Sequence, residues 1–399
     1  MSESRLDRWV GGCLLLTALL LPLSLVLVQP VVYLGSVLAI AAWWRTPRAA
    51  RPRYGFGPYI LVFLAFVVVT SLAGIRPSTS IGKWNRFLVL ALAWSVPWMV
   101  SRLPREAGQV WILKMAGMFM IGIGFKAAYD LVRVPVLVSM DVPLFLAGNM
   151  RDPQFYMVGL CLVAGLVLGG AWSMRYPPTA AALLFSAAGL LIHFKRGAWT
   201  ATLGGLVVIA LVSRRWKPVV WSAAVLAVVL LSPAVRERVG QIGREFDIER
   251  GGRMLLWTEV GPALIAEHPF GVGWKAVKHE DFLAVSDRVE PRLNHLHNNL
   301  MQVTLELGWL GVLAWTAWMV AIGRTAWRAC RPAAGVAADP VRAGLGLGVL
   351  GAFAAMMFNG LVEYNFGDSE IFMMLMVLMG WAAALGLLEA KPRDPAVSP

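Results

Sequence analysis

Long apolar runs separated by short polar segments make up most of the chain. Their lengths are close to the ~20 residues that a helix needs to cross a bilayer, although the second is short. We place them roughly at 10–28, 31–44, 57–74, 84–101, 107–130, 153–174, 178–193, 198–213, 218–233, 298–322, 342–363 and 369–388. The pattern predicts an all-α fold, a polytopic transmembrane bundle of about twelve spans. In lipid only helices and closed barrels satisfy the hydrogen bonds of the backbone, and runs of this length are typical of helices.

The longest polar interruption lies at residues 234–296. It divides the chain into spans one to nine (1–233), a large loop (234–296), spans ten to twelve (297–390) and a short tail (391–399). Within the loop, residues 252–267 carry apolar side chains at helical spacing, namely Leu256, Trp257, Val260 and Leu264. This amphipathic pattern predicts a helix that lies on the membrane surface and roofs the bundle.

Composition agrees with a membrane protein. The chain is 58% hydrophobic and 15% charged, with a mean hydropathy of +0.66, whereas soluble domains average about 45–50% apolar and about 25% charged residues. The formal net charge of +13 then favours anionic lipid head groups or a phosphorylated substrate as partners, and not nucleic acid. The three cysteines, Cys13, Cys161 and Cys330, each fall in or beside an apolar run and are interpreted as small buried hydrophobes.

Basic residues in short loops predict the orientation, because such residues accumulate on the cytoplasmic side. With twelve spans, one set of loops would share a side with both termini and carry Arg5, Arg8, Arg45, Arg48, Arg51, Arg53, Arg102, Arg105, Arg175, Arg214, Arg215, Lys217, Arg324, Arg328, Arg331, Lys391 and Arg393. We assign this side to the cytoplasm. The large loop is then expected to face outward, into the periplasm of a cell with two membranes.

The loops on the predicted outer side are also basic. They include Arg76, Lys83, Arg86, Arg133, Arg151, Lys195 and Arg196. Since such residues oppose the orientation bias, an anionic substrate is the simplest reason for their position. Residual charge that contacts lipid phosphates is the alternative.

Four of the five histidines lie between residues 250 and 310. His297 stands where the tenth apolar run begins, and the positive end of a helix dipole there would favour the neutral imidazole that a general base requires. His295 is an alternative base, and the two rings would point apart if both residues were helical. In the other interpretation of this segment, Asn294 or the histidines only cap the helix.

Several common chemistries leave no motif in the chain. There is no Gly-rich loop followed by Lys-Ser or Lys-Thr, as nucleotide hydrolysis would need, and no paired carboxylate cluster in an outward loop for a divalent metal. Asp130, Asp141 and Asp152 are about ten residues apart, while Glu363 and Asp368 flank one short turn. We therefore expect neither a cofactor nor a metal.

Three short motifs, taken in order, resemble the O-antigen ligase family within the O-antigen ligase/polymerase superfamily. They are an Arg-Gly-Ala-Trp turn (Arg196 to Trp199), an Arg-x-x-x-Trp segment leading to His-Pro-x-Gly-x-Gly (Arg253 to Gly273), and His-Asn opening a Leu-Glu-Leu-Gly-x-Leu-Gly helix (His297 to Gly311). The resemblance is strongest over about 190–315. Elsewhere it extends only to the number and hydropathy of the spans.

This resemblance implies an inverting glycosyltransferase that needs neither nucleotide sugar nor metal. Such an enzyme moves O-antigen from undecaprenyl pyrophosphate to a sugar of lipid A–core, which yields lipopolysaccharide. It also implies roles for individual residues. His297 would be the general base, and Arg253 with Arg196 and Lys195 would hold the pyrophosphate. Further substrate-binding candidates are Arg86, Arg151, Asn298 and Glu363.

Three other functions remain open. An O-antigen polymerase would use the same donor with a growing glycan as acceptor, but such enzymes usually have two sizeable outward loops, and here 131–152 is short. A protein oligosaccharyltransferase of the same superfamily is also possible. A flippase for lipid-linked glycans would place charge deep in several spans. In this chain only Lys114 and Lys126 lie well inside a run, which favours an enzyme.

Overall fold

The structure is a computed structural model that describes residues 5–48, 51–52, 55–142, 151–240, 243, 246–291, 293–331 and 339–390. The predicted tail 391–399 lies outside the described residues, with Lys391 and Arg393, and so does Arg53. In the described part of the chain every regular element is helical, as the apolar pattern predicts.

The helices before the predicted loop follow the order of the apolar runs. They are α1 (Arg5–Leu20), α2 (Leu25–Arg45), α3 (Gly57–Ala73), α4 (Pro77–Ile81), a 3₁₀ helix (Trp84–Leu90), α5 (Ala91–Arg102), α6 (Arg105–Ser139), α7 (Asp152–Leu168), α8 (Pro177–Ile192), α9 (Arg196–Ser213), α10 (Lys217–Val229) and α11 (Pro233–Gly240).

The remaining elements begin with three contiguous segments, α12 (Arg253–Leu255), a π-helical turn (Leu256–Val260) and α13 (Gly261–Glu267), which we call the roof helix. They continue with α14 (His279–Leu283), α15 (Asn299–Ala329), α16 (Pro340–Asn359) and α17 (Ser369–Ala390). The amphipathic helix predicted at 252–267 is thus present, with a π turn that the periodicity did not indicate.

Among the described residues, six helices are long and apolar enough to cross a membrane. They are Leu25–Arg45, Arg105–Ser139, Arg196–Ser213, Asn299–Ala329, Pro340–Asn359 and Ser369–Leu388. The protein is therefore a multi-pass membrane protein. The other predicted spans correspond to shorter helices of 12 to 17 residues, α1, α3, α5, α7, α8 and α10, and the prediction of twelve spans stays a prediction.

Several predicted span limits are wrong. The first run, 10–28, is divided by a turn at residues 21–23, which contains Pro22; proline has no amide hydrogen with which to continue a helix. The fourth run, 84–101, begins as a 3₁₀ helix. The fifth extends to Ser139 and is 35 residues long, so part of the predicted 131–152 loop is helical, while residues 143–150 lie outside the described part.

Glycine allows close packing around α16. A Cβ at Gly165 would lie 2.4 Å from Cα of Gly348, and a Cβ at Gly205 would lie 2.5 Å from the carbonyl oxygen of Gly351. Helices α7 and α9 therefore approach α16 backbone to backbone, as small residues permit in membrane bundles where lipid supplies no hydrophobic driving force. This packing sets the position of the turn that follows α16.

Helix α15 is interrupted at Gly308, whose φ of 73° and ψ of 179° lie outside the helical region. The backbone of the His-Pro-x-Gly-x-Gly loop fills the break. Val272 N donates to Leu305 O at 2.9 Å, and Gly273 N donates to Glu306 O at 3.0 Å. These bonds satisfy carbonyl groups that the interruption removes from the helical pattern. The predicted tenth span is thus two helical segments joined at a docking site for the loop.

Substitution of Gly308 by alanine should destabilise the protein. A Cβ there would lie 2.6 and 2.7 Å from backbone atoms of Phe270, in a conformation that side chains disfavour. We expect a loss of about 2–4 kcal/mol, measured as a fall of the unfolding temperature of the purified protein in detergent. Gly12→Ala is the control, because nothing lies within 4 Å of a Cβ at that helical position. An equal unfolding temperature for the two variants would contradict the assigned role of Gly308.

The roof helix and the loop have a core of their own. Leu255, Leu256, Val260 and Leu264 are buried, and they form one hydrophobic cluster with loop residues including Val272 and Phe282 and with Leu305 of α15. The indole nitrogen of Trp257 donates to Leu296 O at 2.7 Å. The roof helix is therefore fixed relative to the residues just before α15.

Candidate functional site

The predicted site residues meet at the turn between α16 and α17, residues 360–368, which we call the 360–368 turn. Asn299 N donates to Gly360 O at 2.7 Å. The Asn299 side chain donates to Asn365 Oδ1 at 2.6 Å and accepts a hydrogen bond from Phe366 N at 3.1 Å. Asn299 is nearly fully buried, so the start of α15 is fastened to this turn.

His297 lies before α15 and not in its first turn as predicted. The N-cap is Asn298, whose side chain accepts from Met301 N at 3.1 Å. His297 has a φ of 49°, in the left-handed region, and its Nδ1 lies 2.9 Å from Oε1 of Glu363. When Nδ1–H donates to the carboxylate, Nε2 is the unprotonated nitrogen and can accept a proton. The carboxylate therefore orients the ring, whereas the helix dipole was expected to favour its neutral form.

The amide of Asn298 is occupied within the protein. Its oxygen caps α15, and its nitrogen donates to Leu361 O at 2.9 Å. Asn298 was predicted to bind substrate. The structure places it beside His297, where its contacts hold the helix start against the 360–368 turn.

His295 lies against His297, with 4.0 Å between the ring centroids. The pKa of His295 is lowered to about 3, first by burial and then by the charge of His297, while the charge of Glu363 opposes the shift. His295 Nε2 is 3.9 Å from Glu363 Oε1, beyond hydrogen-bonding distance. Of the two alternative bases, the geometry favours His297.

Arg253, the first residue of the roof helix, reaches the same carboxylate. Its Nη2 lies 3.5 Å from Oε2 of Glu363, so the two oxygens of Glu363 face a histidine and an arginine. Burial alone would raise the pKa of Glu363, but the hydrogen bond and charge of His297, with the charges of His295 and Arg253, lower it to about 2. Glu363 is an anion at neutral pH.

The low pKa of Glu363 implies a pH-dependent contribution to stability. Because the pKa is lowered from 4.5 to about 2, the contribution is complete above about pH 5 and is lost as the pH falls towards 2. Glu363→Gln should therefore lower the unfolding temperature by a constant amount above about pH 5. The difference from the native protein should shrink below that pH. Measurement of thermal unfolding against pH, in detergent, checks both parts.

Glu280→Gln provides the control for this titration, since Glu280 is an exposed acid on α14. The unfolding temperature of Glu280→Gln should match that of the native protein at every pH. A deficit of Glu363→Gln that stayed the same at pH values near 3 would contradict the ionisation assigned to Glu363.

Lys195 ends the tight turn between α8 and α9, and Arg196 is the first residue of α9. A Cβ at Gly197 would lie 3.3 Å from both Asn359 Oδ1 and Val362 Cγ2, so this turn packs directly against the start of the 360–368 turn. Phe194 before it has a φ of 52°, in the left-handed region that side chains rarely occupy. The structure thus brings both cations to the same end of the bundle as His297.

Arg86 and Arg151 contact the far end of the 360–368 turn. Arg86 Nη1 donates to Gly367 O at 3.1 Å. Arg151 Nη1 lies 2.8 Å from Glu370 Oε1, and its Nε is 3.7 Å from Asp368. Two carboxylates therefore already offset the charge of Arg151. Of these two candidates, Arg86 is the better anion-binding group, because it contacts a carbonyl oxygen and Arg151 contacts two carboxylates.

A buried ionic cluster near the Lys195–Arg196 turn was missed by sequence reasoning. Asp130 Oδ2 is 3.0 Å from His193 Nε2 and accepts from Tyr156 OH at 2.6 Å. Lys126 Nζ lies 3.2 Å from Asp130 and 2.8 Å from Asp152. The i,i+4 spacing of Lys126 and Asp130 within an apolar run was the visible signal. His193 lies two residues before Lys195, so the cluster anchors the turn.

A second missed group surrounds Tyr364. Its hydroxyl donates to the carboxylate of Glu306, 3.1 Å from each oxygen, and Lys275 Nζ lies 4.4 Å from the centre of its ring. Gln302 also donates to Glu306, at 2.9 Å. The sequence showed Glu306 and Gln302 in one helix, but nothing related them to Lys275.

Two sets of side chains in the described residues could hold a metal ion, because their ligand atoms all lie within 4.8 Å of one another. They are His295, His297 and Glu363, and Asp130, Asp152 and His193. In the second set Lys126 already bridges the two carboxylates. In the first, a cation would compete with Arg253 for Glu363. Metal independence stays a prediction, to be tested by chelation.

The segment that carries these motifs matches a known family. The family model described as O-antigen ligase (Wzy_C) matches residues 181–316, about a third of the chain. The match spans the Lys195–Arg196 turn, the roof helix, the loop and His297, and it confirms the family resemblance predicted from the sequence. No curated protein matches the chain.

Proposed function

We propose that this chain, whose residues 181–316 match the O-antigen ligase family model, is an O-antigen ligase. It would transfer O-antigen polysaccharide from undecaprenyl pyrophosphate to a sugar hydroxyl of lipid A–core, with inversion at the anomeric carbon. The observation that carries the proposal is the Glu363 carboxylate, which faces His297 with one oxygen and Arg253 with the other. This arrangement supplies a proton acceptor and a cation at one point.

The proposed reaction is a single displacement. Nε2 of His297 accepts the proton of the acceptor hydroxyl as its oxygen bonds to the anomeric carbon. The bond from that carbon to the phosphate oxygen breaks on the opposite face, and the electron pair leaves with undecaprenyl pyrophosphate. Glu363 stabilises the imidazolium that forms. No nucleotide is consumed.

The leaving pyrophosphate requires positive charge where its own negative charge develops. Arg253 at the start of the roof helix supplies one guanidinium, and Lys195 and Arg196 supply two further cations from the turn packed against Val362. Arginine binds phosphate oxygens in a bidentate fashion. Arg86 would extend the clamp at Gly367, whereas Arg151, which Asp368 and Glu370 already hold, would contribute through the shape of the turn.

We place this end of the bundle on the periplasmic side of the inner membrane, with both termini in the cytoplasm. The distribution of basic residues supports this orientation. The separate core of the roof helix supports a cover at the membrane surface. Both substrates are lipids, so they would reach the site along the bilayer and meet at the interface.

Reconstitution tests the proposal against its alternatives. Purified protein is mixed with an undecaprenyl-pyrophosphate glycan and lipid A–core, without ATP and with a chelator. A ligase forms lipid A–core that carries the glycan. Extension of the lipid-linked glycan would show a polymerase. Transfer of the glycan to a peptide would show an oligosaccharyltransferase, and translocation without transfer would show a flippase. Activity only with added metal would overturn the proposed mechanism.

A further inference from the structure

We propose that Lys275 and Arg86 form a phosphate-binding subsite beside Gly367, four residues after Glu363 in the 360–368 turn. The proposal rests on the proposed function for its substrates, but its geometry is separate from the His297–Glu363–Arg253 contacts. The family motifs do not include Lys275, which the sequence shows only as one of several basic residues in the large loop.

Backbone conformation directs Lys275 into this position. Lys275 follows the buried Trp274 and has a φ of 56°, a left-handed conformation that costs a non-glycine residue conformational energy. Its ammonium group lies over the ring of Tyr364, 4.4 Å from the centroid. Strained residues of this kind are retained where the surrounding structure requires them, and such residues cluster at binding sites.

Gly367 provides the space for this side chain. A Cβ on Gly367 would overlap both Lys275 Nζ and the ring of Tyr364. Arg86 reaches the same residue from the 3₁₀ helix and donates to its carbonyl oxygen at 3.1 Å. Two cations from distant parts of the chain therefore flank one glycine of the 360–368 turn.

The two cations are not neutralised at short range. Among the residues that the structure describes, no carboxylate lies within 4.0 Å of Lys275 Nζ or of the Arg86 guanidinium. Burial lowers the pKa of Lys275; Glu306 and Asp368 oppose this, and Arg86 and Lys83 add to it. Glu306 already accepts hydrogen bonds from Tyr364 and Gln302, and Asp368 lies beside Arg151. Both carboxylates therefore already have other partners, and neither forms an ion pair with Lys275 or Arg86.

Phosphate fits this pair. A phosphate group presents several oxygens that can accept from an ammonium and a guanidinium together, and hydrogen bonds between charged partners are the strongest available. The rings of Tyr364 and His295 are 5.7 Å apart, so a phosphate here would lie near the reacting groups. It could come from the donor pyrophosphate or from a phosphorylated acceptor sugar.

Lys275→Met tests the subsite, because methionine keeps an unbranched side chain over Tyr364 and removes the charge. We expect the Kd for inorganic pyrophosphate, measured with the purified full-length protein in detergent, to rise roughly tenfold or more. The unfolding temperature should stay the same or rise, since a buried charge has been removed. Lys278→Met, an exposed lysine of the same loop, is the matched control.

Gly367→Ala tests the same space from the other side, since the added methyl group displaces Lys275. It should weaken pyrophosphate binding in the same direction. In the reconstituted reaction, a raised KM for the donor alone identifies the donor phosphate as the ligand. A loss seen only with a phosphorylated acceptor identifies the acceptor.

Three results would overturn the subsite. The first is a pyrophosphate Kd for Lys275→Met within about twofold of the native value. The second is an equal loss of pyrophosphate affinity in Lys278→Met. The third is a clear fall in the unfolding temperature of Lys275→Met, which would indicate a structural role. Pyrophosphate binding requires no turnover, so the two proposals can fail separately. If the native protein is inactive in the ligase assay but Lys275→Met still loses pyrophosphate binding, the proposed function is rejected and the subsite is supported.

Discussion

His297→Ala is expected to lower the rate of glycan transfer by about 10²–10⁴-fold, the contribution of a positioned general base. The reason is geometric. Nδ1 of His297 faces Glu363 at 2.9 Å, which leaves Nε2 to accept the proton of the acceptor hydroxyl. Single-turnover transfer in the reconstituted assay measures the effect. The unfolding temperature of the variant should fall modestly, because the hydrogen bond between His297 and Glu363 is lost, so transfer is compared on protein shown to be folded at the assay temperature.

Two other histidines sharpen this test. His279 Nδ1 lies 2.7 Å from the carbonyl oxygen of Leu293, away from Glu363, and His279→Ala should retain far more activity than His297→Ala. His295→Ala should have an intermediate effect, because His295 supports the ring of His297 without bonding to Glu363. If His295→Ala abolished transfer and His297→Ala retained it, His295 would be the general base and His297 the supporting residue.

Arg253→Ala is expected to lower transfer by about 10²–10³-fold, the usual effect of removing one group that stabilises developing negative charge. Use of the pyrophosphate donor should weaken more than binding of the lipid A–core acceptor. The comparison requires the KM of each substrate with the other saturating. Arg253→Lys should recover only part of the loss, since an ammonium cannot bind phosphate in a bidentate fashion.

Arg250→Ala is the matched control for Arg253→Ala. Arg250 precedes it by three residues and is 61% exposed in its side chain, where it pairs with Asp247 at 3.2 Å. Exposed ion pairs contribute about 0–1 kcal/mol to stability, so this variant should transfer glycan at nearly the native rate. Equal losses of donor and acceptor binding in Arg253→Ala would contradict the clamp.

The helices could be predicted from the apolar runs because local hydropathy determines which segments can enter a bilayer. Their limits were less accurate where the backbone departs from a regular helix. Gly308 illustrates the reason. Glycine is common in transmembrane helices, so its presence in Leu-Glu-Leu-Gly did not reveal a break. The break depends on Val272 and Gly273, which donate to α15 from a loop more than thirty residues earlier.

The site was partly predictable for a related reason. His297, Arg253 and Arg196 lie in short motifs, and residue type alone indicates proton transfer or phosphate binding. Glu363 was among the predicted candidates, but its pairing with His297 could not be derived from spacing. Glu363 is 66 residues from His297, and Lys275 meets Tyr364 and Gly367 only because the loop and the 360–368 turn pack together. Such pairings depend on tertiary packing, which a single sequence does not encode in any local pattern.

The position of the 360–368 turn in the chain has a consequence for biogenesis. It follows every other segment of the site, so His297, Arg253 and Lys275 are synthesised before the residues that orient them. Until α16 and α17 enter the membrane as a pair, the histidine has no carboxylate and the lysine no aromatic ring. A partly inserted nascent chain therefore lacks the assembled candidate site.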